Sequence, residues 1–222
     1  MRALRVTANL MQGYSAADVW SPAIEGILAY WSVREQLGEE EFALGMSGQR
    51  ELVEAELPLA REEHGGLWWW RASSPIASPV EQFERHVHRR FDDQYERYIR
   101  DGVKRVETSA GPFKTYRNRR LVTLTPSVTW HVVGERGGVE RLLRRCSFIG
   151  HGVGHGWGEV REWEVTEDGD EALARFHRPL PEAFAREHGV SGMRMRWGIR
   201  PPGRAPEHQA LCVMPFAGEV AG

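Results

Sequence analysis

The apolar positions at the start of the chain fall on every second residue. In MRALRVTANL, Leu4, Val6, Ala8 and Leu10 share one face, a period of two that predicts a half-buried strand. The period then changes. In WSPAIEGILAYWSVREQLG, Ile24, Ile27, Leu28 and Trp31 recur at i, i+3, i+4 and i+7. Ser21 is placed as an N-cap, Pro22 at the first helical position and Gly38 as the closing residue. ELVEAELPL (51–59) and GLWWWRAS (66–73) read as strands joined through the acidic AREEHGG. SPVEQFERHVHRRFDDQYERYI opens on a capping box, Ser78 and Glu81 around Pro79. Phe83, Val87, Phe91 and Tyr95 follow four apart, which predicts a helix over 79–99.

Further on, SAGP (109–112) is a turn signal inside a basic region and predicts a long hairpin or flap. VTWHVVGE (128–135) reads as a strand, and GGVERLLRRCSFIG (137–150) as a short helix with Val139, Leu142, Leu143 and Cys146 on one side. EVREWEVTED (159–168) is the next strand. Beyond Asp168 the pattern weakens to irregular chain with one or two short strands. The order β-α-β-β, insertion, β-α-loop-β is compatible with an α+β fold of the ferredoxin-like βαββαβ kind.

Composition narrows the class. The 222 residues are 41% hydrophobic and 27% charged, ordinary for a folded protein with a core. No run approaches the roughly 18 apolar residues of a membrane helix, and the start lacks the apolar segment of a signal peptide. Cys146 and Cys212 have neither metal spacing nor a disulfide framework. A cytoplasmic protein is the expectation. The net charge of −2 conceals a segregation. Nine Glu lie between Glu35 and Glu63 against Arg50 and Arg61, whereas Lys104, Arg105, Lys114, Arg117, Arg119 and Arg120 cluster around Glu107 alone. Such a cluster is either a phosphate footprint or a solvated loop.

IGHGVGHGWGEV (149–160) places Gly150, Gly152, Gly154, Gly156 and Gly158 at every second position. A P-loop would need Gly-Lys-Ser/Thr entering a helix, and no Lys or hydroxyl follows these glycines. The dinucleotide fingerprint would need a third glycine at position 155, which is His. Both motifs also run from strand to helix, so that a helix N-terminus can hold the anion, whereas this loop runs from helix to strand. His151 and His155 have only Glu159 and Glu162 as nearby metal ligands, too sparse for a zinc site. What remains is a stretch able to take positive φ, admit another backbone and present successive N–H groups to an anion, or else a helix C-cap followed by a glycine turn.

With Gly150-x-Gly152 and Gly156-x-Gly158 followed by Glu159-Val160, this loop resembles the glycine-rich loop of the RAMP proteins, RNA-binding subunits of CRISPR effector complexes. With LRVTANL, LWWWRASS and SAGPFKTYR in that order, the chain over residues 2–166 is similar to the type IV subunit that caps the 5′ end of the guide RNA. The resemblance implies a ferredoxin-like domain over 1–166, with an insertion at about 73–125, and an extension over 167–222 packing on the same domain. It also implies a non-catalytic protein without cofactor or metal. Such a subunit binds the crRNA 5′ handle and contacts a backbone RAMP subunit and a large subunit, away from any membrane. One departure stands out: family loops commonly carry Lys or Arg in the spacer, where this chain has Val153-Gly154-His155.

The expected RNA contacts are the loop (Gly150, Gly152, Gly154, His155, Gly156, Trp157, Gly158), the flap (Lys114, Tyr116, Arg117, Arg119, Arg120) and Arg144 with Arg145 upstream of the loop. Backbone N–H groups and cationic side chains hold phosphates, while aromatic rings stack bases. Arg144 and Arg145 read equally as the solvent face of their helix. Trp68, Trp69 and Trp70 are further stacking candidates, although alternation buries at least one of them. His86 and His88 raise a rival function, metal-independent cleavage of repeat RNA by a histidine general acid or base. On a helix they would lie about 200° apart and could not serve one phosphate together. A purely protein-contacting scaffold is the third alternative.

Overall fold

Alternation in the first ten residues becomes the central strand of a sheet. The computed structural model describes residues 1–45, 53–92 and 107–215. Its elements are β1 (Arg2–Leu10), β2 (Gly13–Ala16), α1 (Ile24–Leu37), α2 (Glu39–Gly45), β3 (Arg61–His64), β4 (Leu67–Trp70), β5 (Glu81–Arg89), β6 (Tyr116–Leu124), β7 (Ser127–Gly134) and α3 (Arg136–Leu143). They continue with β8 (Val160–Thr166), α4 (Glu171–Phe176), β9 (Leu180–Pro181), α5 (Glu182–Glu187), β10 (Met193–Gly198) and β11 (Gln209–Met214). Every strand pairing among the described residues is antiparallel, so the architecture is mixed α+β.

The first sheet runs β7-β1-β8. Its register sets Leu4 against Val132, Val6 against Trp130 and Ala8 against Val128. On the other side of β1, Val165 opposes Val6 and Trp163 opposes Ala8. These apolar side chains form one face and pack with Ile24 and Leu28 of α1 and Val139, Leu142 and Leu143 of α3. Bridges from Leu59, Ala72 and Ile76 to β7 extend the sheet's outer edge. The helix of residues 24–37 starts two residues later than Ser21-Pro22 suggested, with Ala23 at its N-cap and no side-chain cap bond.

Several expectations are corrected. Residues 81–89 form β5, paired along its length with β6, instead of a helix. A spacing of four, Phe83 to Val87, fits both the helical and the strand period, and the ladder with β6 decides between them. Residues 93–99 of the expected helix, with Lys104 and Arg105, lie outside the described residues. The strand expected over 51–59 does not form among its described residues, of which only Leu59 bridges to β7; AREEHGG supplies a strand instead, since Gly65 and Gly66, both at positive φ, turn β3 into β4 as a tight hairpin. The helix expected over 137–150 ends at Leu143, and Phe148 already bridges to Glu159. After Asp168 the chain builds α4, α5 and the sheet β10-β11-β9 around a second cluster, Leu180, Phe184, Ile199, Cys212, Val213 and Met214.

Trp69 belongs to that second cluster and Trp70 to the first, so the WWW run alternates between two cores. Arg178, 4% exposed, binds both sides. It donates to the carbonyls of Trp70, Ala72 (3.0 Å) and Ile199 (2.9 Å) and pairs with the buried Glu25 of α1 at 3.1 Å. Burial raises the Glu25 carboxyl above its ordinary range, and the Arg178 charge opposes that shift. Removing one partner of a buried pair leaves the other uncompensated. Arg178→Met should therefore cost about 3–5 kcal/mol, read as a lowered midpoint in denaturant unfolding; an unchanged midpoint would show the four contacts to be idle.

His131, His151 and His177 each have a lowered pKa, with burial the largest cause. Asp170 N–H donates to His131 Nδ1 at 2.9 Å, which suits a neutral ring. The unfolded chain takes up protons below about pH 6.5 that the folded chain refuses. These three rings should therefore make stability fall as pH drops from 7.5 toward 5, against an opposite contribution from Glu25, whose raised carboxyl takes up a proton more readily folded than unfolded. Thermal melts of Glu25→Gln at those two pH values check this with that contribution absent, and equal midpoints would mean that the three rings are solvated.

Candidate nucleic-acid interface

The glycine loop is held mainly from inside and from below. Gly150, Gly152, Gly156 and Gly158 all take positive φ, between 71° and 80°. A Cβ on Gly150 would meet the carbonyl of Ser15, and one on Gly158 the carbonyl of Ile149. Gly154 has open space around it. His151 N–H donates to Ser15 O (2.6 Å) and Gly158 N–H to Gly13 O (2.8 Å), which ties both ends of the loop to β2. Inside, His155 N–H donates to Gly152 O (2.8 Å) and Gly156 N–H to Val153 O (3.0 Å). The N–H groups of Gly152, Val153 and Gly154 keep no protein partner among the described residues. The loop therefore offers an anion three successive amides at its tip and no more.

Facing the loop is the sheet β2-β6-β5. Pairing sets Ser15 and Phe83 against Val122, and Arg85 against Arg120. Strand alternation puts these residues and Val87 on one face. The edge-to-face contact of Phe83 with Trp157, centroids 6.5 Å apart, shows that this face meets the loop. Between them lies a cleft of about 310 Å³. Arg85, Val87, Arg120 and Val122 line it from the hairpin, Ser15 from β2, and Gly152, His155 and Trp157 from the loop.

His86 and His88 border the cleft but belong by alternation to the opposite face, together with Arg117 and Arg119. Their rings stand 6.3 Å apart. This overturns the expectation of a 200° separation, because neighbours two apart on a strand point the same way.

The partners of each cation sort the candidates. Arg119 is paired with Glu84, and Arg141 and Arg145 share Glu35. Arg85, Arg120, Arg117, Lys114 and Arg144 have no carboxylate within ion-pair distance among the described residues. Of these, Arg85 and Arg120 face the cleft. Lys114 and Tyr116 lie further along the hairpin, and Arg144 stands in a separate depression with Arg161 and Trp163. The fourteen expected contacts thus do not converge: His155, Trp157, Gly152 and Arg120 share the cleft, while Arg117, Arg119, Arg144 and Arg145 lie elsewhere. Arg85 was missed because a helix reading hid its alternation with Phe83 and Val87.

His151 sits near Arg120, whose charge adds to burial in lowering the histidine's pKa and keeping it neutral. Among the described residues no three His, Cys, Asp or Glu gather as a metal site. Trp68 is covered by Arg61 (4.2 Å from the ring centroid) and Arg200 (4.3 Å), so with Trp69 and Trp70 buried the triplet has no free stacking face. Chemically, the cleft pairs two unneutralised guanidinium groups with an indole ring, a combination suited to a ligand with both an anionic and a planar part.

The cleft, closed on one side by a glycine loop, belongs to a small α+β protein whose described strands all pair antiparallel. A family model for Csf3, a CRISPR type IV associated protein, matches residues 2–215, and the chain belongs to that family. It is accordingly a subunit of a type IV CRISPR effector complex. No curated protein matches the chain. No described helix is long and apolar enough to cross a membrane.

The glycines give a direct check on the loop. Gly158→Ala should lose about 1–3 kcal/mol to the left-handed backbone alone, with the Ile149 carbonyl adding to it, whereas Gly154→Ala should stay within about 0.5 kcal/mol of the parent. Chemical denaturation of both variants checks this; equal stabilities would mean that the loop is free to refold around a side chain.

Proposed function

We propose that this protein is the RNA-binding subunit that holds the 5′ handle of the crRNA and caps the backbone of the type IV complex. In this reading it contacts a backbone RAMP subunit and a large subunit and performs no chemistry. The observation that carries it is the cleft that Arg85 and Arg120, without carboxylate partners among the described residues, line together with the glycine loop and Trp157. Phosphate contact by guanidinium and amide, with a base on an aromatic ring, is how single-stranded RNA is held. The order β8-β1-β7, with the bridged edge beyond β7 and two helices on one face, supports a ferredoxin-like core of the RAMP kind. The missing loop cations of the family are, on this view, replaced by the hairpin arginines across the cleft.

One observation favours a second reading. His86 and His88 share a strand face with Arg117 and Arg119, so two imidazoles and guanidinium groups lie on one face there. Metal-independent cleavage of repeat RNA needs such a set, one imidazole to take the 2′-OH proton and another to protonate the leaving oxygen.

Both readings are tested with the assembled complex and labelled repeat RNA in EDTA. Binding without cleavage is expected. Replacing Arg85 and Arg120 together by Ala should flatten the slope of log K against log salt by about 1.4, two single-strand phosphate contacts. An unchanged slope removes the cleft from the RNA path. Cleavage that disappears in His86→Ala or His88→Ala would replace the binding reading by the nuclease one.

A further inference from the structure

We infer that the cleft between the glycine loop and the β5-β6 hairpin is a socket for one splayed nucleotide, its base against Trp157 and its phosphate between Arg85 and Arg120. The inference rests on the RNA-binding reading and specifies what that site takes.

Three features lead to it. First, Arg85 and Arg120 oppose each other directly across the ladder. Like charges in that position repel and destabilise a strand pair. Elsewhere on the same hairpin the chain neutralises such a charge, as Glu84 does for Arg119. Here no carboxylate among the described residues lies within ion-pair distance of either guanidinium, and the pair is left to solvent or to a bound anion. Second, the walls divide by chemistry. Val87 and Val122 offer an apolar floor beside the two arginines, and Phe83 fixes the Trp157 ring by an edge-to-face contact from the hairpin side. A ligand that fills both parts is anionic at one end and flat and apolar at the other. Third, about 310 Å³ is at the lower end of small-molecule sites, enough for one nucleotide and too little for a stacked run. A strand that enters must therefore turn one base out of its stack, which single-stranded RNA does at modest cost.

Recognition in the socket is by stacking and charge, with the exposed His155 at the rim able both to donate and to accept a hydrogen bond to a base edge. The free amides at the tip of the loop are placed for the neighbouring phosphate.

The experiment is an abasic scan. The complex is assembled on guide RNAs in which each residue of the 5′ segment in turn lacks its base, and the affinity of each is measured. One position should stand out, with a loss of about 5- to 150-fold. In Trp157→Ala the intact and abasic RNAs should bind alike at that position. In Arg85→Ala the base sensitivity should remain while the salt slope falls by about 0.7. A flat profile with RNA otherwise bound normally overturns the socket and leaves the RNA-binding reading standing, whereas no RNA bound by the parent complex overturns both. The scan on the parent protein needs no variant, so a Trp157→Ala protein that did not fold would leave the test intact.

Discussion

Strand β2 is the constraint from which the cleft follows. It is four residues long, wholly buried, and bonded along both edges. One edge pairs with β6, which carries the hairpin; the other holds the glycine loop through the carbonyls of Gly13 and Ser15. The two walls of the cleft are thus set by backbone hydrogen bonds to one short element instead of by side-chain packing across the opening. Gly13 is part of this arrangement, because a Cβ there would meet the Thr123 carbonyl of β6. A cleft built on main-chain geometry can leave its lining side chains free for a ligand, as Arg85 and Arg120 are among the described residues.

The remainder of the chain is organised around a different constraint, the buried Arg178. Its guanidinium reaches carbonyls at the end of β4 (Trp70), just after it (Ala72) and just after β10 (Ile199), and a carboxylate on α1. A planar group with five donors suits such divergent acceptors, and a hydrophobic residue would leave them unpaired. This joint lets β4 serve both cores, with Trp69 turned to one and Trp70 to the other. It also accounts for Trp68, held between Arg61 and Arg200 as a surface closure. Tryptophans that read in sequence as stacking platforms are therefore committed to the fold.

What was legible in the sequence follows the periods that were unambiguous. Alternation in 2–10 and 128–135 and the i, i+3, i+4 pattern from Ile24 are unmistakable, and β1, β7 and α1 lie where those patterns put them. Phe83 and Val87 illustrate the failure. Their spacing suits either period, a capping box preceded them, and the deciding partner, Tyr116–Leu124, lies nearly thirty residues away. Long-range pairing overrode the local signal. The C-terminal sheet was only partly legible for a related reason: β10 and β11 fall where one or two short strands were expected, but β9 is two residues long and forms only against β11. The loop's need for glycine could be read directly. Which of its amides stay free could not, because that depends on β2.

Charge counting alone would have placed the site wrongly. The basic run between 114 and 120 alternates across the two faces of β6, so its cations never act as one patch: Arg120 looks toward the loop and Arg117 and Arg119 look away. Once Glu84 has taken Arg119 and Glu35 has taken Arg141 and Arg145, the cations facing the cleft are few. Few are sufficient. Two arginines set opposite each other on adjacent strands, with no carboxylate within ion-pair distance among the described residues, keep a positive charge on this wall that paired cations do not. That is how a chain of net charge −2 can carry a site for a polyanion. On the proposed reading the positive charge lies on the hairpin wall, and the glycines are left to provide close approach.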